Sequence, residues 1–493
     1  MLRLTWVQPE DLLGHELRQA ALDGREPSRI AERWKAAGGG EAPLRAGASP
    51  EPASRYLRQL AEDLLDELAD LPSKLEDKEP TDLARIRASC SAWPALAAGS
   101  RAARAAPDPK RGGTPPAQAS VPTPTATLTQ ARLEAAWLGR AVGCLLGKPV
   151  EKLPLEAIRQ LAAATGNWPL TTYFTAKGVP EELAAEYPWN RRSAKTSLAE
   201  NIDGMPEDDD LNYPLLNLLL IQRHGKAFTT TDVARLWLDE LPPGRTFTAE
   251  RIAHRNLLLG IEPPHTARHR NPFREWIGAL IRADVHGWTN PGNPAAAAEQ
   301  AHRDATLTHT ANGVYAAMFT AAVIAQAATA TGPHAIHTCL STGLTVIPPD
   351  SRLSQAVRHA IQLAQSHDDF DTIVDALHAT YSPTHHWVHA IPNTALITAA
   401  LIHAHGDFTG SICRAVSGGW DTDSNGATAG SIAALLTGTP AALPDRWTAP
   451  LKNRLATSVA DFNGTGFDAL AQLTHELTDD LPHDLAPLEA TRP

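Results

Sequence analysis

The stretch from Ser417 to Leu436 reads S-G-G-W-D-T-D-S-N-G-A-T-A-G-S-I-A-A-L-L and combines a fold signal with a site signal. Two carboxylates, Asp421 and Asp423, stand one residue apart, among small hydroxyl side chains and after a glycine pair. Such close carboxylates repel one another unless a cation lies among them, and Mg²⁺, Mn²⁺ and Ca²⁺ prefer oxygen ligands. The alternative is a turn that caps the next helix, because these residue types favour such positions. The small residues from Ala427 onward predict a helix that another helix or a ligand can approach closely.

A second acidic run precedes an apolar stretch about two hundred residues earlier. Its four consecutive carboxylates are Glu207-Asp208-Asp209-Asp210, and the chain continues at once with Leu211 to Ile221. One or two acidic residues at a helix start are favoured by the helix dipole, but four exceed what capping uses. The run therefore predicts the start of a buried helix. Together the two acidic runs predict one oxygen-lined site for two cations.

Four blocks in order resemble the ADP-ribosylglycohydrolase family, over roughly residues 128 to 490. The blocks are the glycine-rich run Gly139–Glu151, the acidic Asp208-Asp209-Asp210, the pair Asn312-Gly313, and Gly419 with Asp421-Thr422-Asp423-Ser424. The resemblance implies an all-α catalytic domain that cleaves the glycosidic bond between ADP-ribose and an acceptor, which is either a protein side chain or a small molecule. It also implies two Mg²⁺ ions, with Mn²⁺ as the alternative, because both are hard cations.

The resemblance assigns roles to residues of this chain. The implied metal ligands are Asp208, Asp209, Asp210, Asp421, Asp423 and Ser424. The implied catalytic carboxylates are Glu151 and Asp209, although an exposed turn residue is the alternative for Glu151. The expected substrate contacts are His309, Asn312, Gly313, Tyr315, Gly418, Gly419 and Trp420. For Asn312 the alternative is a helix cap, and for Trp420 it is a place in the core.

Several departures from the family pattern predict a divergent branch. Trp420 is inserted before Asp421, Cys144 stands where many relatives have Asp, Asp208 stands where they have Thr, and Ala316-Ala317 replaces Met-Arg. Two other functions therefore stay open. One is a non-catalytic relative that binds ADP-ribose, and the other is a hydrolase of another nucleotide N- or O-glycoside.

Composition and charge limit the class of protein. Alanine is abundant and aromatic residues make up 5% of the 493 residues, which together favour an all-α fold. We predict a helical N-terminal extension over residues 1–92, a Pro/Ala-rich linker over 93–127 and the catalytic domain over 128–493. The net charge of −11 argues against a nucleic-acid backbone as partner. The four cysteines form no CxxC pair and the first thirteen residues lack the apolar core of a signal peptide, so we expect a cytoplasmic protein without a membrane partner.

Helical spacing and capping residues predict individual helices. A capping box at Thr127 and Gln130 predicts a helix that Gly147 and Pro149 end. Further helices are predicted over 55–71, 211–224, 312–330, 353–366, 394–403 and 427–437. Arg282 and Asp284 are expected to form a buried ion pair.

Overall fold

The computed structural model describes residues 3–43, 47–95 and 127–479, and within these ranges every regular element is a helix. The only β-type pairing among them consists of two isolated bridges, Met205 with Leu455 and Trp276 with His389. The predicted all-α class is confirmed. The predicted linker lies outside the described residues except for positions 93–95 and 127.

The helices divide into an N-terminal group and a main body. The N-terminal group contains α1 Pro9–Leu22, α2 Ser28–Ala36, α3 Arg55–Ala69 and α4 Leu83–Ser89. The main body continues with α5 Gln130–Gly147, α6 Leu155–Ala164, α7 Glu181–Glu186, α8 Ala194–Ser197, α9 Asp209–His224, α10 Thr230–Glu240, α11 Thr248–Leu258, α12 Asp284–Trp288, α13 Pro294–Ala305 and α14 Ala311–Ala327. It ends with α15 Ala335–Leu344, α16 Arg352–Ser366, α17 Phe370–Tyr381, α18 Ala390–His403, α19 Phe408–Ser417, α20 Thr422–Thr437, α21 Asp445–Thr448 and α22 Phe467–Glu476. Short 3₁₀ turns occur at Lys148–Val150, Pro243–Arg245, His265–Ala267, Ile277–Arg282, Pro440–Ala442 and Ala449–Leu451.

Two helices at the centre, α5 and α20, touch through their glycines. A Cβ atom added at Gly143 would lie 1.9 Å from the carbonyl oxygen of Gly426, and one added at Gly139 would lie 2.4 Å from that of Gly430. The reverse additions, at Gly426 and Gly430, would meet the same partners at 2.2 and 2.1 Å. Only residues without a side chain permit this separation, so the backbones of the two helices are in direct contact. The predicted close approach along α20 is confirmed.

Three helices begin earlier in the chain than the sequence predicts. α9 begins at Asp209 rather than Leu211, α20 at Thr422 rather than Ala427, and α18 at Ala390 rather than Thr394. In each case polar or proline residues that look like a loop form the first helical turn, where free backbone N–H groups and the helix dipole accept them. The predicted cap at Thr127 is wrong, because Thr129 caps α5 by accepting a hydrogen bond from the backbone N–H of Arg132 at 3.2 Å.

The N-terminal helices pack on the main body and share its hydrophobic core. Three buried or half-buried arginines of the main body hold carboxylates of this segment. The pairs are Arg274 with Glu16 at 2.6 Å, Arg270 with Glu62 at 2.7 Å, and Arg352 with Glu79 at 2.7 Å. The described residues of 3–43 and 47–95 therefore contact the body that carries the acidic runs, and the predicted boundary of this segment at residue 92 stays a prediction.

None of the helices that the structure describes has the length and apolar character needed to cross a lipid bilayer. The predicted bundle helix after Asn312 is α14, which is buried along nearly its whole length. The four cysteines are buried and carry free thiols.

Candidate functional site

The α5–α20 contact places the first and last motifs side by side. At the end of α5, Gly147 lies against the backbone of Thr422, whose hydroxyl donates a hydrogen bond to the Gly147 carbonyl at 2.8 Å. The chain then turns through the 3₁₀ segment to Glu151, and α20, which begins at Thr422, places Asp423 close to it. As a result Glu151, Asp421 and Asp423 each offer an oxygen within 4.8 Å of the other two. Residues separated by 270 positions thus form one carboxylate group.

The second acidic run lies at the start of α9. Asp208 caps the helix by accepting a hydrogen bond from the backbone N–H of Asp210 at 2.9 Å. The carboxylate of Asp208 also forms a short ion pair with the Lys148 ammonium. Asp210 accepts hydrogen bonds from the Arg140 guanidinium and the Ser424 hydroxyl, both at 3.1 Å. Two of the three aspartates are therefore bound to cations of the protein itself.

All of these carboxylates face one cavity of about 660 Å³. This volume lies within the range of about 300–1,000 Å³ typical of small-molecule sites. Basic side chains share its wall with the acidic ones, and they are Lys148, Lys152, Arg191, Arg192 and Arg245. The N-terminal segment contributes Thr5, Trp6 and Gly47 to the same wall. The cavity can accept a ligand that carries both hydroxyl groups and negative charge.

Crowding and burial perturb the acidity of the site. Burial, followed by repulsion from Glu151 and Asp208, raises the pKa of Asp423 to about 7. Burial and the neighbouring carboxylates raise the pKa values of Asp209 and Asp421 well above their usual range. Burial opposes the charged form of Lys148, but Asp208 and other anionic neighbours raise its pKa, so its ammonium stays protonated. The site lacks enough positive charge for all of its carboxylates to ionise together.

The donor atoms decide whether this site suits a divalent cation. The group Glu151, Asp421 and Asp423 offers only carboxylate oxygens, which fit Mg²⁺ or Mn²⁺. Among the described residues Asp421 and Asp423 have no ion pair with a basic side chain, so both remain available. A second group of Cys144, Asp208 and Asp210 is also close enough to hold an ion. Burial raises the pKa of the Cys144 thiol well above its usual range, so this group adds a neutral sulfur, which suits hard cations poorly.

Four of the predicted substrate contacts lie outside the cavity, at the junction with the N-terminal segment. The Asn312 amide donates to Glu79 at 2.8 Å and to Glu275 at 2.9 Å, while its oxygen accepts from the backbone N–H of Leu353 at 3.0 Å. The Tyr315 hydroxyl donates to the Pro80 carbonyl. Asn312 and Tyr315 thus fasten the N-terminal segment, and their contact with a ligand stays a prediction without support from this geometry.

The remaining two of these four also have structural partners. His309 is buried against the Thr308 hydroxyl at 2.6 Å. A Cβ at Gly313 would lie 2.6 Å from the Arg274 carbonyl oxygen, so the glycine admits a protein backbone there. The close approach that the sequence assigns to a nucleotide is made by the chain itself.

The glycine pair and tryptophan before Asp421 lie behind the carboxylates. Trp420 stacks on His378 with ring centroids 4.2 Å apart, and the Gly418 carbonyl accepts a hydrogen bond from the same histidine at 2.8 Å. Gly419 and Trp420 both have left-handed backbones, with φ of 79° and 57°. These residues form the sharp turn that aims Asp421, and the cavity wall does not include Gly418, Gly419 or Trp420. The core alternative for Trp420 agrees with this placement.

Sequence reasoning missed the basic partners and the N-terminal wall. Lys148 lies inside the glycine-rich block and Arg140 near its start, but neither spacing nor composition indicates that they reach residues 208 and 210. One signal was present in the sequence. Lys148 lies between Gly147 and Pro149 in an apolar block, and a buried charge is usually paired with an opposite one. No signal in residues 3–43 and 47–95 indicates that they line the cavity.

Comparison with known proteins identifies the family of this chain. Residues 125–484 match the ADP-ribosylglycohydrolase family. A solved structure described as an ADP-ribosylglycohydrolase-related protein complex is similar, with 20% sequence identity and a TM-score of 0.44, over 71% of this chain and 99% of that one. A search of curated proteins finds no match. Because the matched residues make up more than two thirds of its length and include both acidic runs, the chain belongs to the ADP-ribosylglycohydrolase family.

Proposed function

We propose that this protein is a metal-dependent hydrolase that cleaves the glycosidic bond between ADP-ribose and an acceptor, either a protein side chain or a small molecule. Family membership supports glycohydrolase activity in general. The observation that carries the specific proposal is the convergence of Glu151, Asp421 and Asp423 on the wall of a cavity of about 660 Å³. Hydroxyl-rich, anionic ligands suit a wall that combines carboxylates with arginine and lysine side chains.

Glu151, Asp421 and Asp423 would hold a Mg²⁺ ion, with Mn²⁺ as the alternative. When bound, the cation supplies Lewis acidity that orients ribose hydroxyls and lowers the pKa of nearby water. Hydrolysis breaks the bond from C1″ to the acceptor atom, whose electron pair leaves with the acceptor, and forms a bond from water oxygen to C1″. One water proton must be accepted by a carboxylate and one proton must reach the leaving acceptor.

Two carboxylates are placed for these proton transfers. Burial and the neighbouring carboxylates raise the pKa of Asp209 well above its usual range, which favours the protonated form that a proton donor needs. Glu151 is held between the Lys152 ammonium and the Asn190 amide, both at 2.7 Å. These contacts hold Glu151 at the cavity wall, where its carboxylate can accept a proton from water.

Other cavity residues provide suitable contacts for the rest of the substrate. Arg191 and Arg192 are exposed at the cavity wall and match the charge of a diphosphate. The Trp387 ring also lines the cavity, and its buried indole N–H has no hydrogen-bond partner among the described residues. This ring offers a stacking surface for a base.

One observation favours the runner-up, a hydrolase of another nucleotide glycoside. Asn312 and Tyr315, expected to contact the nucleotide, are used to hold the N-terminal segment. The remaining acidic residues count against a relative without catalysis, since a binding protein has no need for an unpaired carboxylate set such as Asp421 and Asp423. A panel of ADP-ribosylated acceptors and other nucleotide glycosides separates the two hydrolases.

The proposal is tested by calorimetric titration of ADP-ribose with Mg²⁺ and after EDTA treatment, followed by assays of acceptor release. We expect binding that requires the metal. Asp423→Asn should lower the rate by at least about a hundredfold, because it removes one of three charged ligands, and leave the circular dichroism spectrum unchanged. Asp239→Asn, an exposed aspartate on α10, is the matched control. Full activity of Asp423→Asn at saturating Mg²⁺ would contradict the assignment.

A further inference from the structure

The lysine in the acidic cluster changes how many metal ions the site can hold. Lys148 follows directly on α5, and its side chain is only 8% exposed. Its ammonium forms a short ion pair with Asp208 and lies 3.4 Å from the Glu207 carbonyl oxygen, to which it donates. A buried ammonium held by a carboxylate and a carbonyl is a fixed positive charge inside the site.

We propose that Lys148 takes the place of a second metal ion, so that this site binds one divalent cation, held by Glu151, Asp421 and Asp423. This inference rests on the proposed metal dependence and deepens it. It replaces the two ions predicted from the sequence by one ion and one ammonium.

Two of the three aspartates that a second ion would use, Asp208 and Asp210, are already bound to basic side chains. Asp208 is engaged by Lys148 and by the backbone N–H of Asp210 at 2.9 Å. Asp210 is engaged by Arg140 and Ser424, each at 3.1 Å, and Arg140 is itself fixed by Asp284 at 2.9 Å. A cation between Asp208 and Asp210 would have to displace a buried ammonium that has no other acidic partner within ion-pair distance among the described residues.

Lys152 is the natural comparison, because it is a second lysine in the same turn. Its ammonium pairs with Glu151 at 2.7 Å, but 43% of its side chain is exposed, and it can turn into solvent when Glu151 binds a cation. Lys148 has no such freedom. Replacement by methionine is therefore expected to change the number of bound ions at Lys148 but not at Lys152.

The test is a titration of the metal-stripped protein with Mn²⁺, which reports the number of bound ions from the free-Mn²⁺ signal in electron paramagnetic resonance. We expect one Mn²⁺ per chain in the wild type and in Lys148→Arg, which keeps the charge. Lys148→Met should bind two, because Asp208 is then free to act as a ligand, and the second ion should produce the spectrum of an exchange-coupled pair. Lys152→Met should still bind one.

The outcomes separate this inference from the proposed function. Two bound ions in the wild type would overturn the inference that Lys148 replaces a second ion, and would leave the proposed metal dependence intact. One ion in a folded Lys148→Met variant, or two in Lys152→Met, would also overturn it. A wild type that binds no Mn²⁺ would overturn both proposals. If Lys148→Met does not fold, the wild-type count alone still decides between one ion and two.

Discussion

Gly143 in the middle of α5 is the position where a single added methyl group should disturb both the fold and the site. Its Cβ would lie 1.9 Å from the carbonyl oxygen of Gly426, whereas contacts under 3.0 Å are not tolerated. The two helices must therefore separate by about 1.1 Å at this point. Both partners are backbone, so no side-chain rotation can relieve the clash.

The magnitude follows from two opposing terms. Overpacking a rigid contact costs about 3 kcal/mol at the upper end of the usual range. Replacing a helical glycine by alanine returns about 1 kcal/mol of helix propensity. Gly143→Ala should therefore lower the free energy of unfolding by about 2 kcal/mol, or the melting temperature by roughly 2–3 °C in a chain of this size. One turn later Gly147 holds Thr422, so Asp423 should also move away from Glu151 and Mn²⁺ binding should weaken about tenfold, which corresponds to about 1.4 kcal/mol.

The assay is thermal unfolding and Mn²⁺ titration of Gly143→Ala beside Gly410→Ala. Gly410 also lies in a helix, α19, but its added Cβ would first meet the mobile end of the Arg414 side chain at 2.6 Å. This control should be as stable as the wild type or slightly more so. If Gly143→Ala matches the control in both stability and Mn²⁺ affinity, the glycine contact between α5 and α20 does not set the geometry of the site.

Two further predictions concern the N-terminal segment. Arg352→Met should lower the free energy of unfolding by about 3–5 kcal/mol, because it leaves the buried carboxylates of Glu79 and Glu275 without their shared cation. It should also make the segment susceptible to limited proteolysis. Arg358→Met, at an exposed position on the same helix, should have neither effect. Burial, and then the charge of Arg18, lowers the pKa of His15 to about 3 from an ordinary value of 6.5. The unfolded chain therefore binds the extra proton between these values, and stability should fall by about 2 kcal/mol from this group as the pH drops from 7.5 to 5, a loss that His15→Phe should remove in melts at the two pH values.

The helices were predictable because their causes are local. Spacing of apolar residues and small residues at α5 and α20 indicated helices and a close contact, and both are present. The starts of α9 and α20 were placed too late because acidic and hydroxyl residues have similar preferences for loops and for first helical turns. The distinction depends on what the helix end faces, which is a property of the fold.

Partners of buried charges were not predictable from proximity in sequence. Arg282 and Asp284 were expected to pair, but Arg282 binds Glu250 at 2.8 Å and Asp304 at 2.9 Å, whereas Asp284 binds Arg140 at 2.9 Å. Residues two apart on a helical stretch point in different directions, so each finds its partner on another element. The ion pair of Lys148 was not predicted for the same reason, because its partner Asp208 lies 60 residues away in the sequence.

Asn312 shows how a motif can keep its residues and still change its contacts. The Asn-Gly pair is present, and α14 presents it as expected, yet Glu79 from the N-terminal segment and Glu275 accept the hydrogen bonds of its amide. A residue type specifies what it can bind, whereas the neighbouring elements decide what reaches it. The N-terminal segment therefore occupies a polar group of the motif while the motif residues themselves are unchanged.

Some residues of the two acidic runs stabilise the fold, and others remain available for chemistry. Asp208 caps α9, and Asp210 ties α9 to α5 through Arg140 and to α20 through Ser424. These contacts join three helices, and they compensate the charges that would otherwise oppose packing. Among the described residues the carboxylates of Asp209, Asp421 and Asp423 have no ion pair with a basic side chain, and burial together with repulsion between neighbouring carboxylates raises their pKa values.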